Sequence, residues 1–217
     1  MRVKKTTQSG TTLYGWDNDR IFAEYDGNGT VIQETVYFGS TPIALLKEGN
    51  TYRIFADQID TPRVLVNSAN ATLWTWETKP FGESQPNEDV DGDSTNLSYN
   101  LRFPGQYFDI ETNKYYNFNR DYNPMTGCYM QSDPKGMCGG INTFIYVDSK
   151  PLNNQDSKGQ LTCTQCLRAC GADQDIENFC RKIKGGGKNK ALRGACWGLA
   201  FVGETACKGW CYWNYCD

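Results

Sequence analysis

The 217-residue sequence predicts a mainly β chain of antiparallel hairpins followed by a small disulfide-rich α-helical hairpin. Three observations lead there. Short runs rich in β-branched and aromatic residues are separated by Gly, Pro, Asn and Asp along most of the chain. Charge and cysteine content change together at one place. Residues 1–160 hold 14 Lys and Arg against 20 Asp and Glu, a net of −6, with two cysteines, whereas residues 161–217 hold 8 against 5, a net of +3, with eight. Those eight fall at helical spacings on either side of a glycine-rich loop.

The joint shift marks a domain boundary at Gln160–Leu161, just after the polar stretch Pro151 to Gln160. Residues 1–12 read as an irregular N-terminal segment, 13–160 as the β domain and 161–217 as the cysteine-rich tail. In the β domain, Arg20 to Tyr25 and Thr30 to Phe38 flank Asp26-Gly27-Asn28-Gly29, a tight-turn sequence, and form a hairpin. Further strands are expected at Thr51–Asp57, Arg63–Asn67, Leu73–Glu77, Leu97–Phe103, Tyr115–Asn119 and Thr143–Val147.

The composition removes several kinds of chemistry. With no histidine, Ser-His-Asp and Cys-His catalysis, His-ligated zinc and an imidazole switch are excluded. No apolar run approaches the roughly 18 residues of a spanning helix, and the basic start MRVKKTTQSG lacks the apolar stretch of a signal peptide. The acidic run from Pro86 to Asn96 suggests calcium, but an EF-hand starting at Asp89 would need Gly at Ser94 and Glu at Asn100. It reads as a solvated loop, and neither a metal nor a cofactor is expected.

A longer pattern runs through the β domain: Trp16-Asp17, Tyr25-Asp26 with Gly27 and Gly29, Asp60-Thr61-Pro62-Arg63, Pro80-Phe81-Gly82-Glu83 and Leu101-Arg102-Phe103-Pro104-Gly105-Gln106-Tyr107-Phe108-Asp109. It continues through Thr112, Tyr115-Tyr116-Asn117, Arg120-Asp121-Tyr122-Asn123-Pro124, Gly127, Asp133-Pro134-Lys135-Gly136, Gly139-Gly140, Asn142 and Tyr146-Val147. Residues 13–160 thus resemble the YD-repeat and core region of the Rhs family. The resemblance implies YD-type β-hairpins wound into a hollow shell, a core domain plugging one end, and a variable C-terminal toxin cut from the core by an aspartic autoprotease. Carried over residue by residue, the catalytic aspartates are Asp133 and Asp156, Arg120 is the neighbouring arginine, and the scissile bond is Gln160–Leu161. Two carboxylates held together share one proton, so one polarises the peptide carbonyl while the other activates water. The sequence departs from the family at Ser157, where Pro is usual, and at Gln160, where Leu is usual; Met137, Asn123 and Cys128 also differ. Apart from the resemblance, an Asp three residues before Gly is ordinary turn chemistry, its carboxylate accepting backbone N–H bonds. Both readings of these aspartates stand.

In the tail, cysteines taken pairwise from the two ends inward share a midpoint near Lys188, inside the loop Lys184 to Asn189. Cys166, Cys170 and Cys180 lie on one face of a helix over 162–183, and Cys196, Cys207 and Cys211 on one face of a helix over 191–213. An αα-hairpin with bridges Cys166–Cys211, Cys170–Cys207, Cys180–Cys196 and Cys163–Cys216 follows, which would form in an oxidising place outside the cytosol. The competing reading is zinc, for which Cys163-x-x-Cys166 has the spacing but a second such pair is missing. Cys128 and Cys138 either bridge across the Asp133 loop or stay as buried thiols. No acid–base set for an enzyme stands out in the tail.

The sequence therefore reads as the C-terminal part of an Rhs-type polymorphic toxin used in competition between bacteria. Implied partners are an upstream YD-repeat shell, an immunity protein and components of a secretion system, with the target of the tail undetermined. The protein is expected to be secreted or to reach the cell envelope. The alternatives are a non-enzymatic surface adhesion module and an inactive remnant with a structural disulfide-stapled cap.

Overall fold

The computed structural model describes residues 1–134 and 142–160. The tail helices, the cysteines Cys163, Cys166, Cys170, Cys180, Cys196, Cys207, Cys211 and Cys216, Leu161, and Cys138 lie outside the described residues. The chain divides into two compact units, one comprising Met1–Ser132 and Phe144–Gln160, the other Asp133–Thr143 and Leu161–Asp217.

The first unit is antiparallel β, as its alternating and turn-punctuated sequence predicts. Eight strands run in sequence order as one meander: β1 (Lys4–Thr7), β2 (Gly10–Asp17), β3 (Arg20–Asp26), β4 (Val31–Phe38), β5 (Thr41–Lys47), β6 (Asn50–Ala56), β7 (Pro62–Val66) and β8 (Thr72–Thr75). A second sheet has the order β12-β11-β10-β9, from β9 (Tyr107–Asp109), β10 (Lys114–Asn117), β11 (Arg120–Asn123) and β12 (Cys128–Tyr129).

One turn design recurs between the strands of the meander. Asp26 Oδ1 accepts the N–H groups of Asn28 and Thr30, both at 2.8 Å. Asp57 does the same for Ile59 and Thr61, and Asn67 for Ala69 and Ala71. In each turn the residue three positions on has positive φ and returns its N–H to the carbonyl of the Asx residue: Gly29 at 88°, Asp60 at 63° and Asn70 at 64°. A short polar side chain that accepts two backbone donors stabilises this five-residue reversal locally.

The core of the unit is aromatic. Trp74, Trp76, Tyr99, Phe103, Tyr115, Tyr122, Tyr129 and Tyr146 are almost fully buried in one cluster. Many of the ring pairs meet edge to face, such as Trp74–Tyr99 at 5.8 Å and Tyr129–Tyr146 at 5.6 Å between centroids, contacts worth about 0.5–1.5 kcal/mol each beyond area burial.

Four features differ from expectation. Residues 1–12 are not irregular, since β1 and the start of β2 pair from Lys4↔Leu13 to Thr7↔Gly10. Their polar composition suits an edge strand, and Arg2 and Lys5 tie it to Asp109 at 2.6 and 3.0 Å. Thr41–Lys47 is a strand despite Pro42, because the β4–β5 register shifts between Val36 and Tyr37 and the proline lies at that irregularity. Leu97–Phe103 forms only the isolated bridge Leu101↔Tyr107. There the backbone folds back through Pro104 and Gly105, and the Arg102 guanidinium donates to the Tyr99 and Leu101 carbonyls. Thr143–Val147 contributes only the bridge Cys128↔Ile145 before a 3-10 turn at Val147–Ser149. Among the described residues no helix is long and apolar enough to cross a membrane.

Candidate functional site: the Asp156 turn

The segment Asp156-Ser157-Lys158-Gly159-Gln160 repeats the turn design of the meander. Asp156 Oδ1 accepts the N–H of Gln160 at 3.0 Å, Gly159 has φ 56°, and the Gly159 N–H points back to the Asp156 carbonyl at 3.4 Å. The ordinary turn reading of this aspartate is thus correct for one of its two oxygens.

The other oxygen has a different environment. Tyr129 donates its hydroxyl proton to Asp156 Oδ2 at 2.7 Å, and Arg120 Nη2 donates to the same atom at 3.1 Å. The Arg120 guanidinium lies over the Tyr129 ring, 3.6 Å from its centroid, and its Nε donates to the Gly159 carbonyl at 2.6 Å. Asp57 offers an internal comparison, because it too pairs with an arginine, Arg63, at 2.8 Å. That pair is 25 % and 15 % exposed at its side chains, whereas Arg120 and Asp156 are 3 % and 5 % exposed. The Asp156 turn is therefore set apart by burial and by its phenol donor.

The rest of the segment is gripped from several elements. Asn117 at the end of β10 donates to the Asp156 carbonyl at 2.8 Å, and Asn119 in the β10–β11 turn donates to the Lys158 carbonyl at 2.8 Å. Ser157 donates to Asp19 Oδ2 at 2.6 Å. A Cβ at Gly159 would overlap the Asn117 carbonyl, and one at Gly105 would overlap the Ser157 backbone. Gln155 and Ser157 line a cavity of about 180 Å³ with Tyr37, Pro42, Pro62 and Phe103. Burial and the neighbouring Asp156 charge hold the Tyr129 phenol well above the usual range, so it remains a donor at every ordinary pH. Burial likewise raises Tyr146, on which Asp156 acts in the same sense.

Of the residues expected to act together, Arg120 and Asp156 are brought together, and Gln160 is bound directly by Asp156. Asp133 is buried and belongs to the second unit, where its N–H donates to the Thr143 carbonyl at 3.0 Å. Cys128 is a half-buried free thiol. Tyr129, Asn117, Asn119 and Asp19 had no role in the sequence reading. The hairpin register was the available signal for the first two: Asn117 pairs with Arg120, and Tyr129 pairs with Tyr122, two residues along β11 from Arg120, making it a diagonal neighbour.

The acidic loop is more convergent than a solvated run implies. Carboxylate oxygens of Asp89, Asp91 and Asp93 all lie within 4.8 Å of one another, with Asp91 and Asp93 exposed. Such grouping is common on exposed acidic loops and does not by itself make a metal centre.

No family model matches the chain. Among curated proteins, it is 34 % identical over 103 residues to the putative uncharacterized protein YibJ of Escherichia coli K12, covering 48 % of this chain and 42 % of that one. It is 27 % identical over 147 residues to double-stranded DNA deaminase toxin A of Burkholderia cenocepacia H111, covering 67 % and 10 %, and 30 % identical over 172 residues to the probable deoxyribonuclease RhsA of Dickeya dadantii 3937, covering 75 % and 11 %. The chain thus spans less than half of each of these relatives. In fold it is similar to the crystal structure of TcdB2-TccC3 without hypervariable C-terminal region, with a TM-score of 0.52 and 17 % identity over 72 % of this chain and 8 % of that one.

Proposed function

The chain belongs to the Rhs, or YD-repeat, family, and from that premise we propose that it is the C-terminal part of a polymorphic toxin whose β core cuts its own chain once, at Gln160–Leu161. The products would be a core ending at Gln160 and a 57-residue cysteine-rich tail. The observation that carries this reading is the buried Asp156 turn: one carboxylate oxygen holds the N–H of the residue before the bond, and Arg120 joins the other oxygen to the Gly159 carbonyl.

Asp156 acts as general base and Asp133 as general acid, which requires the Asp133 carboxyl to come within hydrogen-bond reach of the reacting peptide. Asp156 takes a proton from water as the water oxygen attacks the Gln160 carbonyl carbon, and Asp133 protonates the carbonyl oxygen. Collapse breaks the bond to the Leu161 nitrogen, which leaves as an amine with the proton from Asp156, while Asp133 takes back the hydroxyl proton as the carbonyl re-forms; the new Gln160 carboxyl group then ionises to solvent. Arg120 keeps the base and the Gly159 carbonyl in one frame, so the substrate segment needs no separate pocket.

The tail is the released part, stapled by bridges Cys166–Cys211, Cys170–Cys207, Cys180–Cys196 and Cys163–Cys216 and matured in an oxidising compartment. Names of relatives, a DNA deaminase toxin and a probable deoxyribonuclease, support delivery of a toxic domain into competing bacteria. Its partners would be an upstream YD-repeat shell, a secretion system and an immunity protein.

The test is intact mass of the wild-type chain, Asp133→Asn and Asp156→Asn, with and without reductant. Cleavage after Gln160 in the wild type alone, and a tail about eight mass units heavier when reduced, as four disulfides require, support the reading. An intact wild-type chain overturns the cleavage, and Ser157 and Gln160 then favour a surface module or remnant.

A further inference from the structure

We infer that Tyr129, locked by Asn117, is a positioning residue that keeps Asp156 in its carboxylate form and aims it as the base of the cleavage. The inference rests on the cleavage reading for its chemistry but on the described geometry for the assignment itself.

The direction of every proton in the chain of contacts follows from groups that have no choice. Asn117 Nδ2 lies 2.8 Å from the Asp156 carbonyl and 2.8 Å from the Tyr129 hydroxyl. A backbone carbonyl only accepts, so the atom facing it is the amide nitrogen, and the orientation of the Asn117 amide is determined. The same nitrogen then donates to the Tyr129 oxygen. Having accepted there, Tyr129 has one proton left, and it points at Asp156 Oδ2, 2.7 Å away. Arg120 Nη2 donates to that oxygen as well, and Oδ1 accepts the Gln160 N–H. Three donors converge on one carboxyl group in a buried site, the arrangement that favours the charged form.

Facing the Asp156 carboxylate are Arg120 from β11, Tyr129 from β12 and Tyr146 from the segment before the 3-10 turn. Burial keeps both phenols neutral, so neither adds a second negative charge beside Asp156. Under the cleavage reading, a carboxylate held by these donors suits the base role proposed for Asp156.

The phenol is separable from the turn. Tyr129→Phe keeps the ring under Arg120 and removes the hydroxyl that donates to Asp156 and accepts from Asn117, while Asn117→Ala releases the hydroxyl to rotate. The full chain, unfolded and then refolded into buffers from about pH 4 to about pH 9, is followed by intact mass. In Tyr129→Phe the acid limb of the cleavage rate moves up by about one pH unit, because the base loses a donor to its charged form. Carboxyl carbon-13 titration of the uncleavable Asp133→Asn chain, with and without Tyr129→Phe, reads the same quantity with no cleavage needed; the Asp156 signal is the one lost in Asp156→Asn. Its midpoint rises by about one unit when the hydroxyl is removed, and Asn117→Ala moves it the same way if the phenylalanine chain fails to fold. An unchanged midpoint overturns the inference. An uncleaved wild-type chain overturns the cleavage reading instead, and the titration still decides what Tyr129 does to Asp156.

Discussion

Ser157 donates its hydroxyl to Asp19 Oδ2 at 2.6 Å, joining the turn that carries Asp156 to the β2–β3 turn 138 residues earlier in the chain. A proline at position 157 would restrict the backbone by its ring; a serine restricts it through a tether, which makes Asp19 part of the support of the turn. Ser157→Ala and Asp19→Ala should each cost about 1 kcal/mol in denaturant unfolding of the uncleavable Asp133→Asn chain. In the double variant the two costs should fall short of adding.

Gly159 and Gly29 occupy equivalent places in their turns, with φ of 56° and 88°. A side chain at Gly29 meets open space, whereas one at Gly159 would overlap the Asn117 carbonyl. Gly29→Ala should therefore cost about 1 kcal/mol from backbone conformation alone. Gly159→Ala should cost more and abolish cleavage, because the turn must leave its seat; melting curves and intact mass of both variants check this.

Two buried tyrosines of the same cluster should respond oppositely to loss of their hydroxyls. The Tyr146 oxygen has no hydrogen-bond partner among the described residues, and the Tyr129 oxygen has two. Tyr146→Phe should leave stability unchanged or raise it, whereas Tyr129→Phe should lose about 1–3 kcal/mol because it removes a donor to a buried carboxylate and leaves the Asn117 N–H without its acceptor. Parallel urea titrations distinguish them.

Glu24 faces the interior, accepting from Gln33 at 2.6 Å and from Tyr107 at 3.0 Å, and burial raises its pKa above the usual carboxylate range. The folded chain thus binds this proton more tightly than the unfolded chain does, and stability from this site is lost as pH rises from the unfolded value through the folded one. Glu24→Gln should raise the melting temperature at neutral pH and flatten its decline between acid and neutral conditions. No gain is expected below the unfolded pKa.

Much of the sheet was legible in the sequence because strand and turn signals are local. Asp26 to Thr30 sets its own reversal, and the strands around it are rich in β-branched and aromatic residues. Signals failed where a distant partner decides. Pro42 argues against a strand unless the β4–β5 irregularity is known, and Lys4–Thr7 has no apolar face because its ties run to Asp109. The same division runs through the site. Asp156 and Arg120 were found through a family pattern, and turn chemistry alone accounts for one oxygen of Asp156. Tyr129 was missed because its role depends on hairpin register and on Asn117, neither of which a linear motif encodes.

The turn at Asp156 shares its form with those at Asp26, Asp57 and Asn67. What separates the four is the second face of the side chain: at Asp156 alone among them a phenol and a buried guanidinium cover the oxygen that the turn leaves over. A chain reversal of one form therefore yields a solvent-facing bend or a buried charged group according to what it comes to rest against, so the backbone of such a turn says little about the chemistry of its side chain.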